Sequence, residues 1–576
     1  MGEIPQTYSI RRYTGTHADV FTAVGLAKVL ASSGCTVRIT EESTGFAVQI
    51  EDNVNGTANL SASPGYPFLK TNEKVTVPHG AVDPVDYKAE KARADRVKAL
   101  RKGRNLKALD AATLEAIEKE KPRPDWRLLQ VLNTLQGDET SNRIHELIVK
   151  IPPVEFQKTL ASALNTLAQG DASRLEWRAT SVQIFSPIAA KGYSRLKPDS
   201  TDRNDKTKDQ WTDPFIEWLR YQGYFAVACP FFQGSKSEHV RLLCPIPHDI
   251  SVAALIAAAG ELRTAGLFGG SVKLDSLAAL KLAEILVNHS EEYHNANVAV
   301  LEALSLAGKT PADAVSGITI THYQSLGNAK AVSAMSTVAL PGWFELDSPA
   351  QAREMLDILA EHQNIVRSLR DDYSDEMALL IGYRRFLQSR GDSAAFSLLD
   401  FMARYGAMLL GAWQGGRRLR AFRTDNLGRI LMATAPSLRQ ALDDPGFRAI
   451  AGAVRRATVN AQALKAMGRS DYREIRYDLL PELRRKSSLP GPQPLIEAVS
   501  DFIAKYNVEN ARRREMNKAA PRNITTDELA SFVGLVESSL GAATIGTLLC
   551  AYGSCREPRD EENAILEAPA PETPEE

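Results

Sequence analysis

Apolar residues in the first fifty positions of the chain change from a helical to a strand spacing. Between Ala18 and Ser32 they recur every three or four residues, which predicts a helix with one apolar face. That face carries Val20, Val24, Ala27 and Leu30. Cys35–Ile39 and Phe46–Ile50 instead alternate β-branched and polar residues, which predicts a pair of strands.

The same pattern divides the rest of the chain into a mixed region and a helical region. Helices are predicted at Tyr87–Lys107, at Trp126–Leu167 (two or three helices) and at Val252–Gly308. Strands are predicted at Ser181–Phe185, Phe225–Cys229, His239–Cys244, Ile318–Tyr323 and Ala331–Leu340. From Pro349 onward the pattern is helical, with turns near Gly391, Gly415–Gly416, Gly468–Ser470 and Pro490–Pro494. The predicted fold class is α+β, with a mixed α/β N-terminal and central region followed by an all-helical C-terminal bundle.

A chain of 576 residues is too long for a single core and predicts several domains. Composition and pattern place an N-terminal α+β domain with a basic helix at 1–120 and a central α+β region at 121–345. A helical connector at 346–431 and a C-terminal helical bundle at 432–556 follow. The acidic, proline-punctuated segment 557–576 is predicted to be a disordered tail.

Bulk composition is that of a soluble globular protein, with 44% hydrophobic and 24% charged residues. The five cysteines are irregularly spaced and form no CxxC pair, so neither a zinc site nor a disulfide framework is predicted. The N-terminus has no basic-then-apolar signal, and the longest apolar stretches, such as Ser251–Gly260, are too short to span a bilayer. A cytoplasmic protein is therefore expected.

The net charge of −1 conceals strong local segregation of charge. There are nine lysines and arginines but two acids between Lys88 and Lys107, and eighteen basic but thirteen acidic residues between Met432 and Arg556. From Glu557 to the end there are eight acids and one arginine. Local basic patches of this kind favour a polyanion as partner.

Two basic, glycine-containing loops flank one aromatic-rich helix in the centre of the chain. The loops are Lys191–Pro198 and Gln233–Lys236, and the helix is Trp211–Arg220. Cations on loops that glycine frees for close backbone approach suit a phosphate backbone. The candidate DNA-binding cations of these loops are Lys191, Arg195, Lys197 and Lys236. The alternative is an ordinary solvated loop.

Basic residues also cluster on predicted helices near both ends of the chain. Lysines recur along one face of the Tyr87–Lys107 helix, and three arginine clusters lie on the C-terminal helices. The candidate residues of these helices are Lys91, Lys98, Lys102, Arg455, Arg456, Arg484, Arg485, Arg512 and Arg513. Such helices either lie along a phosphate backbone or are simply solvated, and the sequence leaves both interpretations open.

No catalytic constellation emerges from the sequence. It contains no GxxxxGK[ST] loop, no GxGxxG after a strand and no GxSxG elbow. His248-Asp249 is a dipeptide that supplies two ligands in metal-dependent phosphohydrolases, but further His and Asp residues on facing helices would be needed. A binding protein without a cofactor is therefore expected rather than an enzyme. Two alternatives stay open: a metal-dependent nuclease using His248 and Asp249, and a structural protein whose basic helices bind an acidic protein surface.

Segments spread over most of the chain resemble the large subunit of type I CRISPR Cascade surveillance complexes, of the I-A or I-B kind. The likeness is carried by the opening Tyr13–Gly25, the loop Lys191–Pro198 with Trp218-Leu219, the loop Gln233–Lys236, the strand-end turn Tyr323–Asn328, and the helical region from Phe422–Leu427 to Tyr506–Ala511. The opening departs from the family's Thr-Gly-x-Pro-x-x-Asp-x-Gly pattern, because His17 stands at the proline position, Asp19 comes one residue early and Gly25 comes late.

This resemblance implies a subunit that recognises the short protospacer-adjacent motif in duplex DNA and helps to open the strands, while guide RNA reads the remaining sequence. It would not cleave, and a helicase–nuclease or transposition factors would act afterwards. The implied partners are CRISPR RNA, double-stranded and displaced single-stranded target DNA, Cascade backbone subunits and a small subunit, with no membrane. Polar residues on glycine turns are candidates for reading bases, chiefly Gln324, Ser325 and Asn328, with Gln233 as a further candidate, since Gln and Asn make bidentate contacts to adenine. The alternative is that Asn328 only tolerates a left-handed turn.

Met432 begins the predicted bundle at 432–556, after a predicted loop at Arg423–Arg429. The bundle is net basic and has its own apolar periodicity, so it is expected to fold alone. In relatives of the resembled family, an internal translation start in this region yields a separate small subunit. The resemblance therefore implies a second, shorter product that starts at Met432, with Met402 and Met408 as alternative starts, and that holds the guide–target duplex through its backbones. The alternative is that this segment exists only as the C-terminal domain of the full chain.

Overall fold

The structure of the protein is a computed structural model in which the chain divides into two compact units. The described residues are 5–53, 67–77, 83–101, 110–135, 138–169, 179–180, 184–185, 211–233, 239–295, 306, 308–326, 329–417, 419–470, 472–518 and 520–557. The first unit consists of Met1–Gly266, Asn288–Leu306 and Pro311–Leu340. The second unit consists of Leu267–Val287, Ala307–Thr310 and Pro341–Glu576.

The first unit combines sheets with helices. Its strands are β1 (Thr7–Arg11), β2 (Cys35–Glu42), β3 (Gly45–Asn53), β4 (Pro67–Lys70), β5 (Asp83–Asp86), β6 (Ala179–Thr180), β7 (Trp211–Thr212), β8 (Cys229–Gln233), β9 (His239–Pro247), β10 (Asp249–Ser251), β11 (Val315–Leu326) and β12 (Ala329–Ala339). Its helices are α1 (His17–Ser32), α2 (Tyr87–Arg101), α3 (Ala111–Lys119), α4 (Trp126–Thr134), α5 (Asp138–Val149), α6 (Pro153–Gln169), α7 (Pro214–Val227), α8 (Val252–Thr264), the end of α9 (Ser271–Asn295) and α10 (Pro311–Ala314).

Two antiparallel sheets of four strands organise this unit. The first sheet has the order β1-β3-β2-β10 and the second the order β12-β11-β9-β8. Two smaller ladders accompany them, a parallel pair of β4 with β5 and an antiparallel pair of β6 with β7.

Helix α1 crosses α7 at very short range inside the first unit. A Cβ atom on Gly25 would lie 1.9 Å from the carbonyl oxygen of Leu219, and one on Gly223 would lie 2.1 Å from that of Phe21. No side chain larger than a hydrogen atom fits at either position. The two glycines therefore set the distance between these helices, which carry the residues that anchor the candidate site.

The second unit is helical. Besides most of α9, its helices are α11 (Pro349–Ser368), α12 (Ser374–Gln388), α13 (Gly391–Gln414), α14 (Thr424–Thr434), α15 (Arg439–Asp443), α16 (Pro445–Ala457), α17 (Val459–Ala466), α18 (Leu479–Ser487), α19 (Gln493–Glu515), α20 (Thr526–Glu537) and α21 (Gly541–Gly553), with a 3₁₀ turn at Pro436–Leu438. Buried rings of Phe401 and Tyr405 on α13 pack with Phe422 just before α14, and Tyr383 on α12 packs against Phe401.

The predicted α+β class is confirmed, as are the first helix, the strand pair that follows it and the helical C-terminal region. The strand predicted at Phe225–Cys229 was wrong, because Phe225–Val227 form the last turn of α7. Of the strand predicted at Ser181–Phe185, Ile184 and Phe185 form a turn, and 181–183 lie outside the described residues. Helix α7 is buried around nearly its whole circumference, so its end has the continuous apolar pattern that is also typical of a buried strand.

The predicted loop at Arg423–Arg429 was also wrong, because α14 begins at Thr424. Met432 lies inside this helix, and the segments predicted as connector and bundle both belong to the second unit. Polar residues and a glycine at the start of α14 had suggested a turn. Within the described part of the chain, every helix is too short or too polar to traverse a lipid bilayer.

Candidate nucleic-acid interface

The turn before α1 is held in place by a carboxylate of that helix. Asp19 accepts the backbone N–H groups of Thr14 (3.1 Å) and Gly15 (2.7 Å), and the Thr16 side chain caps the helix. Gly15 has a φ of +64°, a left-handed conformation that glycine adopts without strain. The segment that resembles the family opening is therefore a fixed turn, and it sets the position of His17.

His17 joins two segments that are distant in the sequence. Its Nε2 atom lies 2.9 Å from the carbonyl oxygen of Ile184, and its Nδ1 atom lies 3.0 Å from Oγ1 of Thr321 in β11. A carbonyl oxygen can only accept, so Nε2 carries the proton and Nδ1 accepts from the Thr321 hydroxyl. Burial lowers the pKa of His17 to about 4. The ring is therefore neutral at pH 7 and acts as a hydrogen-bonded link between the two segments.

Ile184 lies seven residues before the predicted basic loop Lys191–Pro198, and described residues on both sides of that loop are anchored in the first unit. Strands β6 and β7 come before and after this loop and pair with each other. Phe185 is fully buried, and its ring centroid lies 5.4 Å from those of Tyr221 and Tyr224 on α7. The predicted loop cations lie outside the described residues; they are Lys191, Arg195 and Lys197.

The strand ends that flank the other predicted loops lie at one end of the second sheet. Gln233, the last residue of β8, pairs with His239, the first residue of β9. The start of β9 lies beside the end of β11, where Gln324 pairs with Ala331 of β12. Thr321, the partner of His17, lies three residues before Gln324 on the same strand. The turn before α1, the segment at Ile184 and this sheet end therefore belong to one connected region.

The predicted base-reading residues are described to different extents. The side chain of Gln324 is exposed at the end of β11. Only the strand backbone is described for Gln233 and Ser325, while Lys236 and Asn328 lie outside the described residues. The pairing of β8, β9 and β11 therefore places the backbones of Gln233 and Gln324 at the same end of the sheet.

Helix α2 separates its lysines from its arginines. Lys91 and Lys98 are exposed and form no ion pair within the described residues. Arg93 lies 3.4 Å from Glu90, and Arg96 lies 2.8 Å from a carboxylate oxygen of Glu120. Lys102 lies outside the described residues. The two lysines therefore keep exposed charge on α2, whereas the two arginines pair with carboxylates.

The first arginine pair of the C-terminal region has internal partners. Arg455 is 5% exposed, forms an ion pair with Glu557 and donates to the carbonyl oxygen of Tyr552 (3.3 Å). Arg456 donates from Nε to the hydroxyl of Tyr506 (2.8 Å). The prediction of Arg455 as a DNA-binding residue is wrong, because its guanidinium is buried and its charge is neutralised inside the fold. Arg456 is half-buried and bonded to a neutral hydroxyl, so its role in DNA binding stays a prediction.

The other two arginine clusters are each divided. Arg484 lies 2.9 Å from Asp400, and Arg513 donates to the carbonyl oxygen of Tyr472 (3.3 Å). Arg485 and Arg512 are exposed and form no ion pair within the described residues. Among the six predicted arginines of the C-terminal clusters, only these two are fully exposed without an ion-pair partner in the described part of the chain, as backbone binding needs.

His248 and Asp249 both contact strand β2. Nδ1 of His248 lies 3.0 Å from a carboxylate oxygen of Glu41, and Asp249 lies 3.0 Å from a guanidinium nitrogen of Arg38. The described residues contain no group of three or more side chains that could hold a metal ion. His248 and Asp249 therefore stabilise the edge of the first sheet, where β10 pairs with β2.

The sequence did not identify His17 as an anchor, because the residue stood out only as a replacement of the proline in the family's opening pattern. A second group was missed entirely: His239, Arg241 and His322 lie far apart in the sequence and meet only through strand register. For His17, its position at the start of an apolar helix is the one feature of the sequence that indicates a buried polar contact. Comparison of the chain with protein-family models and with curated proteins finds no match.

Proposed function

We propose that this protein is the large subunit of a type I CRISPR RNA-guided DNA surveillance complex. In this role it binds target duplex DNA at the protospacer-adjacent motif, helps to open the strands and does not itself cleave. CRISPR RNA, the Cascade backbone subunits and a small subunit are its partners in the complex. A helicase–nuclease or transposition factors act on the opened target afterwards.

The observation that carries the proposal is the pair of hydrogen bonds made by His17. One buried ring joins the opening turn to Ile184, which precedes the predicted basic loop Lys191–Pro198, and to Thr321 on the strand that carries Gln324. The opening turn is one of the segments on which the resemblance rests, and the two contacted residues lie near two more of them in the sequence. A DNA-binding surface composed of several loops needs such distant segments to meet, and this contact supports that arrangement.

Charge on the described surface supports the same function. Lys91 and Lys98 on α2 and, in the second unit, Arg485 and Arg512 are exposed without ion-pair partners among the described residues. Contacts from such residues to phosphates provide affinity without sequence preference, while polar side chains such as Gln324 provide preference for particular bases.

Purification of the tagged chain from its own cells tests the proposal directly. We expect a defined CRISPR RNA and several backbone subunits to co-purify, identified by RNA sequencing and mass spectrometry. A nuclease-treated sample controls for partners that are held only by contaminating nucleic acid. Recovery of the chain without any guide RNA or companion subunit would contradict the proposal.

The same complex tests the base-reading role of Gln324. Its exposed side chain can make two hydrogen bonds to adenine, and its loss removes roughly 1–3 kcal/mol of discrimination at one position of the motif. We expect Gln324→Ala to broaden the preference profile in a motif-library depletion assay while binding persists. An unaltered profile would assign motif reading to other side chains.

A further inference from the structure

Four basic side chains of α13 and α18 form a group with a surplus of positive charge. This group, the α18 basic cluster, consists of Arg404, Arg484, Arg485 and Lys486. Arg404 and Arg484 share one carboxylate, that of Asp400, at 3.0 Å and 2.9 Å. Arg485 and Lys486 form no ion pair within the described residues, and Glu482 is the one acid of α18. The acids that accompany the cluster therefore leave part of its charge without a counterion.

The last described residues of the chain lie close to this cluster. A Cβ atom on Gly406 of α13 would lie 2.4 Å from Cβ of Ser554 and 3.5 Å from Cδ1 of Leu480 in α18. Arg485 follows Leu480 by five residues on the same helix, which corresponds to about 8 Å along the helix axis. Glu557, the last described residue, is three positions after Ser554. The segment that continues from Glu557 therefore begins within reach of the α18 basic cluster.

That segment, 558–576, lies outside the described residues and has the opposite charge. Its nineteen residues include seven acids and one arginine. Glu557, the acid directly before it, already forms an ion pair with Arg455 on α16 of the same unit. Nineteen residues extend to roughly 60 Å at most, which is several times the distance from Leu480 to Arg485 along α18. Both charge and length therefore suit the segment as an occupant of the cluster.

We infer that segment 558–576 docks on the α18 basic cluster and competes there with nucleic acid. A tethered segment is present at an effective concentration on the order of millimolar, so individually weak ion pairs are enough to occupy the cluster. Salt screens exposed charges, so the docking weakens as ionic strength rises. The competition rests on the proposed function, because Arg485 is one of the residues predicted to bind DNA, whereas the docking itself does not.

Carbodiimide cross-linking of the full chain tests the docking without any DNA. The reagent joins an amine to a carboxylate that it contacts, and mass spectrometry identifies the linked peptides. We expect Lys486 to couple to the acids of 558–576 at low salt and to lose this coupling at about 1 M salt, where the screening length is about 3 Å. Lys465 and Lys505, exposed lysines of α17 and α19, are the internal controls and should couple to the segment less. Absence of cross-links between Lys486 and the segment would overturn the docking.

Neutralisation of the segment tests the competition. In a full chain whose seven acids of 558–576 are replaced by the corresponding amides, we expect duplex DNA to bind on the order of fivefold tighter at low salt. The difference should vanish at high salt, because the docking and DNA binding are both screened. Fluorescence anisotropy of a labelled duplex measures both affinities.

Loss of seven negative charges also favours DNA binding through net charge alone, so the comparison is repeated in two variants. In Arg485→Ala, Lys486→Ala the gain from neutralisation should shrink, whereas Lys465→Ala, Lys505→Ala, which removes the same charge elsewhere in the unit, should retain it. An equal gain in both variants would overturn the competition and leave the proposed function standing. Failure of every chain to bind DNA would overturn the proposed function and the competition, and cross-linking alone then decides the docking.

Discussion

Local surroundings decide what each basic residue of this protein does. Lys91 and Arg96 lie on one exposed helix, but only the arginine has a carboxylate partner among the described residues. Arg455 and Arg485 both belong to basic clusters in the sequence, but the first is buried against Glu557 and the second is exposed. Counts of cations therefore overestimate the charge that the surface offers to a polyanion, because part of that charge is already neutralised inside the fold.

The close crossing of α1 and α7 gives a prediction at single-residue scale. In Gly223→Ala the new methyl group would lie 2.1 Å from the carbonyl oxygen of Phe21, so the helices must separate, and overpacking of this kind costs about 1–3 kcal/mol or more. We expect a lower midpoint of urea unfolding. Gly260→Ala on α8 is the matched control, because its Cβ would meet no atom within 4 Å. Equal midpoints for the two variants would show that the crossing tolerates a methyl group.

The lysine face of α2 gives a prediction at the scale of one element. The double variant Lys91→Ala, Lys98→Ala removes two exposed charges. The log–log salt dependence of DNA binding should therefore become shallower by about 0.9 for each phosphate that the protein no longer neutralises. Fluorescence anisotropy of a labelled duplex over a range of salt concentrations measures this slope.

The control for that experiment changes net charge by the same amount. Lys121 and Lys505 are exposed lysines that lie 3.1 Å and 3.5 Å from Glu118 and Asp501. Their double replacement by alanine should leave the salt slope unchanged. If both double variants weaken binding equally, overall charge and not the face of α2 determines affinity.

Elements with a clear periodicity could be predicted from the sequence, and the exceptions have physical causes. Helix α1 and strands β2 and β3 agree with the pattern because each buries one set of regularly spaced residues. The end of helix α7 did not agree with the pattern, because the helix is buried on all sides and lacks a polar stripe. The cluster of His239, Arg241 and His322 could not be predicted, since strand register brings those residues together and no local spacing encodes it.

At the scale of the whole molecule, the C-terminal helices are not separate from those that precede them. A Cβ atom on Gly406 of α13 would lie 2.4 Å from Cβ of Ser554, just after α21. The backbone of Arg556 donates to Phe422 (2.7 Å) and accepts from Thr424 (2.9 Å). The apolar periodicity of 432–556 indicates that these helices bury a core. In the structure, residues before Met432 supply part of that core.

A product that starts at Met432 would therefore lack α13 and most of α14, and its exposed apolar surface would need a partner. We expect fragment 432–557 to unfold without a cooperative transition in thermal circular dichroism, whereas fragment 267–557, which contains every described part of the second unit, melts cooperatively. Starts at Met402 or Met408 also fall inside α13 and should give the same result as Met432. A cooperative melt of 432–557 near that of the longer fragment would show that the segment is self-sufficient, and an internal start could then supply a stable small subunit without help from the preceding helices.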